Sequence, residues 1–301
     1  MTVLADIPGL TDLLSHPFMR NALLAGTAIA LASGLVGYFL VLRSQIFSAD
    51  ALSHVSFTGA LGALAFGYDL RLGLFASVVV VAALLGALGE RGRADDVTIG
   101  SVFVWVLGLG VLFLSLFTSS RATTNSTAGV SVLFGSIFGL DDARTTTAVI
   151  VGLLIAVAVV AIARPLLFAS IDEGVAAARG IPVRALSYVF LILVGLAAAE
   201  ATQAIGALLL LALLAAPAAA AQRIIARPFA ALGLSAVIAI SCTWIGLVVS
   251  YEAPSLPPSF CIVASVTTAY VGAILLSRRP HVFRRAGDGN RTRVLSLGTS
   301  S

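Results

Sequence analysis

The chain has 301 residues, 59% of them hydrophobic and 11% charged, with a mean hydropathy of +1.06. Soluble domains average about 45–50% apolar and about 25% charged residues, so a single soluble core could not hide this much apolar surface. The net charge of +4 is all arginine, without one lysine, and residues 1–277 carry −1; that excludes a nucleic-acid binder and a Walker-type ATP site, which needs a lysine on the phosphates.

In chain order, residues 1–20 mix Asp6, Pro8, Asp12, His16 and Pro17. They show no signal-peptide pattern and are expected to form an external N-terminal segment. Nine apolar stretches follow, at 21–42, 49–68, 71–89, 98–117, 147–163, 185–200, 203–221, 229–249 and 260–277. A helix needs about 20 such residues to cross the hydrocarbon, so the expected fold is all-α and polytopic, with about nine transmembrane helices over 21–277. Residues 129–140 are too short and too glycine-broken to span; they are expected to be re-entrant or surface-lying and packed against protein. Small-residue pairs such as Gly34/Gly37, Gly59/Gly62 and Gly86/Gly89 suit close helix approach in lipid. Trp105 and Trp244 read as packing residues, and Cys242 and Cys261 as buried thiols.

Arginine placement sets the expected orientation. With nine spans, fourteen arginines fall on one side, six of them in the tail 278–301, and four (Arg20, Arg71, Arg121, Arg144) on the other. Loops that keep positive charge are cytoplasmic, so the N-terminus is expected outside and the C-terminus inside. The tail reads as a basic, disordered cytoplasmic segment drawn to anionic lipid.

Ionisable groups within spans are costly and mark functional candidates. Asp50 and His54, in the run SADALSHVSFTG, are four residues apart and so lie on one face of a helix. A carboxylate and an imidazole one turn apart make half a site for zinc, manganese or iron; in isolation the same spacing also serves as a hydrogen-bonded pair at an interfacial helix end. Glu200, in AAAEATQAIG, reads either as part of a capped turn or as an oxygen ligand near the outside mouth, a station separate from Asp50 and His54. The cytoplasmic stretch 170–182 reads as a short helix: Ser170 with Glu173 forms a capping box, Asp172 and Glu173 suit the N-terminal dipole and Arg179 the C-terminal one. Gly180 ends the helix and Pro182 prevents its resumption. An apolar stripe of Ile171, Val175 and Ala178 suits either a partner protein's groove or the membrane surface.

Together these segments resemble the permease subunit of the metal-uptake ABC transporters that import zinc, manganese or iron. The resemblance is carried by Phe39–Arg43, Ser53-His54 with Gly59, Ile99-Gly100, Leu133–Ile137, the Asp172, Ala176 and Gly180 positions, and Gly206–Leu210 through Ala216–Ala221. It implies the fold of the cobalamin- and siderophore-type importer permeases. It also implies two permease copies, each seated on an ATP-hydrolysing subunit through Ser170, Asp172, Glu173, Ala176, Arg179 and Gly180, with an external metal-binding protein delivering Zn2+ or Mn2+. The resemblance favours Asp50 and His54 as metal ligands; Glu200 is a further candidate ligand on its position alone, not on the resemblance. The chain itself would bind no cofactor and catalyse no reaction, ATP being used by the partner. Two other functions fit a polytopic chain with these acids: a proton-coupled secondary transporter, and a permease for a siderophore or cobalamin.

Overall fold

In the computed structural model, residues 16–89, 96–120, 135–207 and 210–277 are described. Their regular structure is entirely helical: α1 (Pro17–Leu42), α2 (Ile46–Ala65), α3 (Leu70–Leu88), α4 (Asp96–Ser120), a 3-10 turn (Ile137–Gly139), α5 (Asp142–Ile171), α6 (Glu173–Ala178), α7 (Val183–Ile205), α8 (Leu210–Ile224), α9 (Pro228–Glu252) and α10 (Pro258–Ser277). Eight of the nine expected spans each fall mainly on one of these helices; the expected span 203–221 instead begins inside α7 and crosses the break at Gly206 into α8, so its start is corrected to Leu210. Seven are long and apolar enough to cross a membrane. The other two are α2, diluted by Asp50, His54 and several hydroxyls, and α8, which has only 15 residues. The protein is a polytopic all-α membrane protein.

Helix ends follow local chemistry. Pro17 and Pro228 open α1 and α9 at first-turn positions, where a missing N–H costs nothing. Pro17 thus carries α1 upstream of the expected start at residue 21. Asp69 and Asp141 cap α3 and α5, their carboxylates accepting from Arg71 N (2.8 Å) and Arg144 N (2.7 Å). α1 ends in a Schellman turn, with Ser44 N donating to Val41 O and Gln45 N to Leu40 O. Ser44 takes the left-handed position at φ 54°, normally a glycine site.

α1 is the central post, packed against α9, α5, α8 and α7; 78% of its most apolar window is buried, against 17% for α4. A second group joins α2 to α3, α4 and α7 around Val55, Leu61, Leu74, Val78 and Val106. α7 lies between the groups and touches both. Close approach depends on the expected glycines. A Cβ at Gly37 would land on the Leu214 carbonyl, one at Gly59 on Ser77 and the Gly73 carbonyl, and one at Gly34 on the Ala236 backbone.

Residues 121–134 lie outside the described residues, so the 129–140 expectation can be followed only over its second half. There, Gly135 (φ +73°) sits against the Ala204 carbonyl, Ser136 N donates to Gln203 O (3.3 Å), and Ile137 is buried. This part is packed against the end of α7 as expected. Trp105 departs from its assignment: it is 68% exposed on α4, so it faces the surroundings rather than the core. Trp244 donates its indole N–H to Thr27 Oγ1 (2.8 Å). Cys242 and Cys261 are buried free thiols.

Two substitutions test this packing. Gly37→Ala should lower the thermal midpoint of the detergent-solubilised protein, by about 1–3 kcal/mol of overpacking, while Gly108→Ala, where a Cβ meets nothing within 4 Å, should leave it in place. Ser44→Gly should raise the midpoint by relieving about 1 kcal/mol of left-handed strain. Both are read by fluorescence-detected size-exclusion after heating.

Candidate functional site

The site starts at the first turns of α2. Phe47, Asp50 and His54 share one face of this helix, and both Asp50 and His54 are half-buried. The two are one turn apart, close enough for the Asp50 charge to act on the imidazole. Phe103 of α4 packs its ring against both neighbours, with centroids 5.2 Å from His54 and 6.0 Å from Phe47. The imidazole is thus held edge-to-face by an aromatic wall that the sequence reading did not single out, because it comes from another helix.

The flank of α2 is pinned by hydroxyls. Ser53 Oγ donates to its own helix at Asp50 O (2.7 Å) and lies 3.5 Å from Ala207 O, just beyond the end of α7. Ser56 Oγ donates to Ser53 O (2.6 Å) and approaches Thr202 Oγ1 at 3.1 Å. Gly206, at φ +93°, ends α7 there. The break between α7 and α8 therefore faces the part of α2 that carries the acid and the imidazole.

Glu200 is elsewhere. It is 3% exposed on α7, and its Oε1 has no hydrogen-bond partner, which is unusual for a buried carboxylate oxygen. The charge that acts on it is Arg71 of α3, whose Nη1 donates to Thr147 Oγ1 (3.0 Å). One turn beyond Glu200, Gln203 lines a polar cleft of about 250 Å³ with Asp69, Arg71, Asp141 and Arg144. Among the described residues no three His, Cys, Asp or Glu side chains gather closely enough to hold one ion. Asp50 and His54 stay a pair, and Glu200 is not brought to them.

At the opposite end of the bundle, the 170–182 stretch needs a correction. Ser170 is not a cap: α5 runs on to Ile171, and Ser170 Oγ donates to Leu166 O (2.6 Å) within it. Asp172 is the N-cap of α6, its Oδ1 accepting from Val175 N (2.9 Å), and Glu173 is the first helical residue. The predicted capping box fails because an apolar helix continues through Ser170, whose hydroxyl back-bonds inside it. Gly180 does end the element, at φ +81°, with Ile181 N donating to Ala176 O (3.1 Å). Pro182 does not prevent a new helix: it is the N-cap of α7, which starts at the next residue. Ala176 is fully buried, while Ile171 and Val175 are exposed. The Arg179 guanidinium lies over the Phe168 ring at 5.7 Å. Beside this helix, Glu173, Gly174, Ala177, Pro182, Val183 and Arg184 line a cleft of about 550 Å³.

Arg43, one of the fourteen arginines expected on the cytoplasmic side, is not a solvated loop cation. It is buried, with Nη2 donating to Ser187 Oγ at 2.9 Å and Nε to Gln45 Oε1 at 3.1 Å.

Known proteins resemble this chain along most of its length. The manganese transport system membrane protein MntC of Halalkalibacterium halodurans is 29% identical over 291 residues, covering 95% of this chain and 96% of that protein. A protein of Haemophilus influenzae named "Probable iron transport system membrane protein" is 26% identical over 271 residues, covering 89% and 97%. Among solved structures, PsaBC from Streptococcus pneumoniae in complex with Fab superposes with a TM-score of 0.76 at 25% identity, covering 88% of this chain and 94% of that one. The profile of the ABC 3 transport family matches residues 15–277, which take in every helix described above, so the chain belongs to the ABC 3 transport family.

Proposed function

We propose that the chain is the membrane permease of an ATP-driven importer that carries a divalent metal ion, manganese foremost, into the cytoplasm. The observation that carries this reading is the Asp50–His54 pair: a half-buried carboxylate and imidazole one turn apart on a membrane helix, beside the break between α7 and α8. A carboxylate oxygen with one imidazole nitrogen suits Mn2+ or Fe2+ and serves Zn2+ as well. The relatives named for manganese and for iron support the first two.

Two protein ligands make a partial shell. That suits a site which must exchange water for ligands and then release the ion. Glu200, beneath the polar cleft at the Arg71 end, would be a separate acidic station met before the pair. The arginine-rich end is read as cytoplasmic, with Ile171 at the end of α5 and Val175 of α6 presented to a nucleotide-hydrolysing partner. Ser170 would act there only through α5, while Asp172, Glu173, Ala176, Arg179 and Gly180 build and stop the docking helix. A second copy of the chain would complete the pathway, and an external metal-binding protein would deliver the ion. Closure of the ATPase pair would then shift α6 and α7 and switch the helices between outward and inward openings.

Asp50→Ala and His54→Ala should each cut Mn2+ uptake into proteoliposomes at least about tenfold, the loss of one ligand's worth of binding. Membrane insertion and ATPase assembly should be unchanged. Wild-type uptake in both variants would overturn the site. Glu173→Arg reverses the charge at the start of α6 and should reduce co-purification of the ATPase or uncouple its turnover from uptake. Unaltered assembly and coupling in that variant would overturn the docking assignment.

A further inference from the structure

A long cationic side chain at the end of a membrane helix can reach the headgroups and keep its charge in water. Arg43 does not. It is 5% exposed and, among the described residues, the one arginine that is buried. Its planar fork is used three ways. Nε donates to Gln45 Oε1 (3.1 Å), Nη2 donates to Ser187 Oγ (2.9 Å), and the guanidinium carbon lies 5.5 Å from the centre of the Phe190 ring. Gln45 is the N-cap residue of α2, and Ser187 and Phe190 lie three apart on α7, both buried. One side chain therefore grips the start of α2 and the first turns of α7 together.

Both grips continue into rigid backbone. On one side, the Schellman turn at Leu40–Gln45 fixes Gln45 to α1, and Asp50 follows five residues on, about 7.5 Å along the helix. On the other, Ser187 lies four residues into α7, which begins at once after the Gly180–Pro182 stop of α6. That stop is itself tied back by Gly180 N to Ala177 O (2.9 Å) and Ile181 N to Ala176 O. Between the docking helix and the ion ligands there is no loose loop on this route.

We propose that Arg43 is a positioning residue that couples α6 to the Asp50–His54 pair, so that displacement of the docking helix by the ATPase is passed through Ser187 and Phe190 to the start of α2. The inference rests on the functional reading above at both its ends. It requires the guanidinium itself: a lysine supplies one compact charge, and cannot bridge Gln45 and Ser187 while stacking on Phe190.

The test uses the full chain assembled with its co-expressed ATPase in proteoliposomes, with Mn2+ as the probe. Arg43→Ala, Arg43→Lys and the milder Ser187→Ala are compared with wild type and Asp50→Ala. Three quantities are measured: Mn2+ bound by the purified complex, ATP hydrolysed, and Mn2+ transported per ATP. Coupling through Arg43 predicts that Arg43→Ala and Arg43→Lys keep Mn2+ binding and ATP turnover but lose about tenfold or more in transport per ATP, the equivalent of one charge-assisted hydrogen bond. Ser187→Ala should move the same way by a smaller factor. If Arg43→Ala does not assemble, Arg43→Lys and Ser187→Ala decide. Wild-type transport per ATP in those two overturns the proposal, as does a loss of Mn2+ binding in step with transport. A failure of the functional reading looks different: the wild-type complex would not transport Mn2+, or Asp50→Ala would transport it normally.

Discussion

The bundle depends on how closely other helices can come to α1. In hydrocarbon no hydrophobic force drives one helix onto another, so association rests on packing and on internal hydrogen bonds. α1 answers with a run of alanines and glycines: Gly34 lies against the Ala236 backbone, Gly37 against the Leu214 carbonyl, and Ala28 against Gly152 of α5. Three helices from later in the chain are thereby fixed to the first. The remaining contacts follow, since α7 packs on α1 and then presents its other side to α2 and α3.

The same solvent disciplines the polar groups. Most hydroxyls in the spans bond to a carbonyl one turn back, as Thr27, Thr202, Thr243 and Thr268 do, or tie one helix to another, as Ser235 does to Gly34 O at 2.7 Å. Gln222 donates to Tyr38 O at 2.9 Å and Asn21 to Asp142 Oδ1 at 2.7 Å. Against this background the half-buried Asp50 and His54 and the unbonded oxygen of Glu200 stand out, because nothing about holding the helices together requires an acid there.

The spans were legible because length and apolarity are what the bilayer selects. Asp50 and His54 were legible because helical periodicity stacks positions four apart. What could not be read depends on neighbours distant in sequence. Phe103 reaches His54 from α4, and Arg43 is buried because Ser187 and Phe190 wait on α7, 144 residues away in the case of Ser187. Ser170 and Glu173 fail as a capping box for a local reason. Ser-x-x-Glu opens a helix only if no helix is already running through the serine, and the apolar run of α5 does not stop until Ile171. Asp172, sharing the same few residues, was the better cap.

The shortness of α8 bears on the electrical work of transport. Its 15 residues rise about 22 Å, roughly three quarters of a hydrocarbon slab about 30 Å thick. Its first residue, Leu210, follows closely on Ala207, whose carbonyl faces Ser53 of α2. A helix this short does not by itself cover the whole slab, and irregular backbone at membrane depth must be wrapped in protein or reached by water. Where water reaches it, the membrane potential falls over a thinner insulator. On the proposed function, a doubly charged ion would feel about 4.6 kcal/mol per 100 mV across the whole field, and a thinner insulator beside α2 would concentrate that drop near Asp50 and His54.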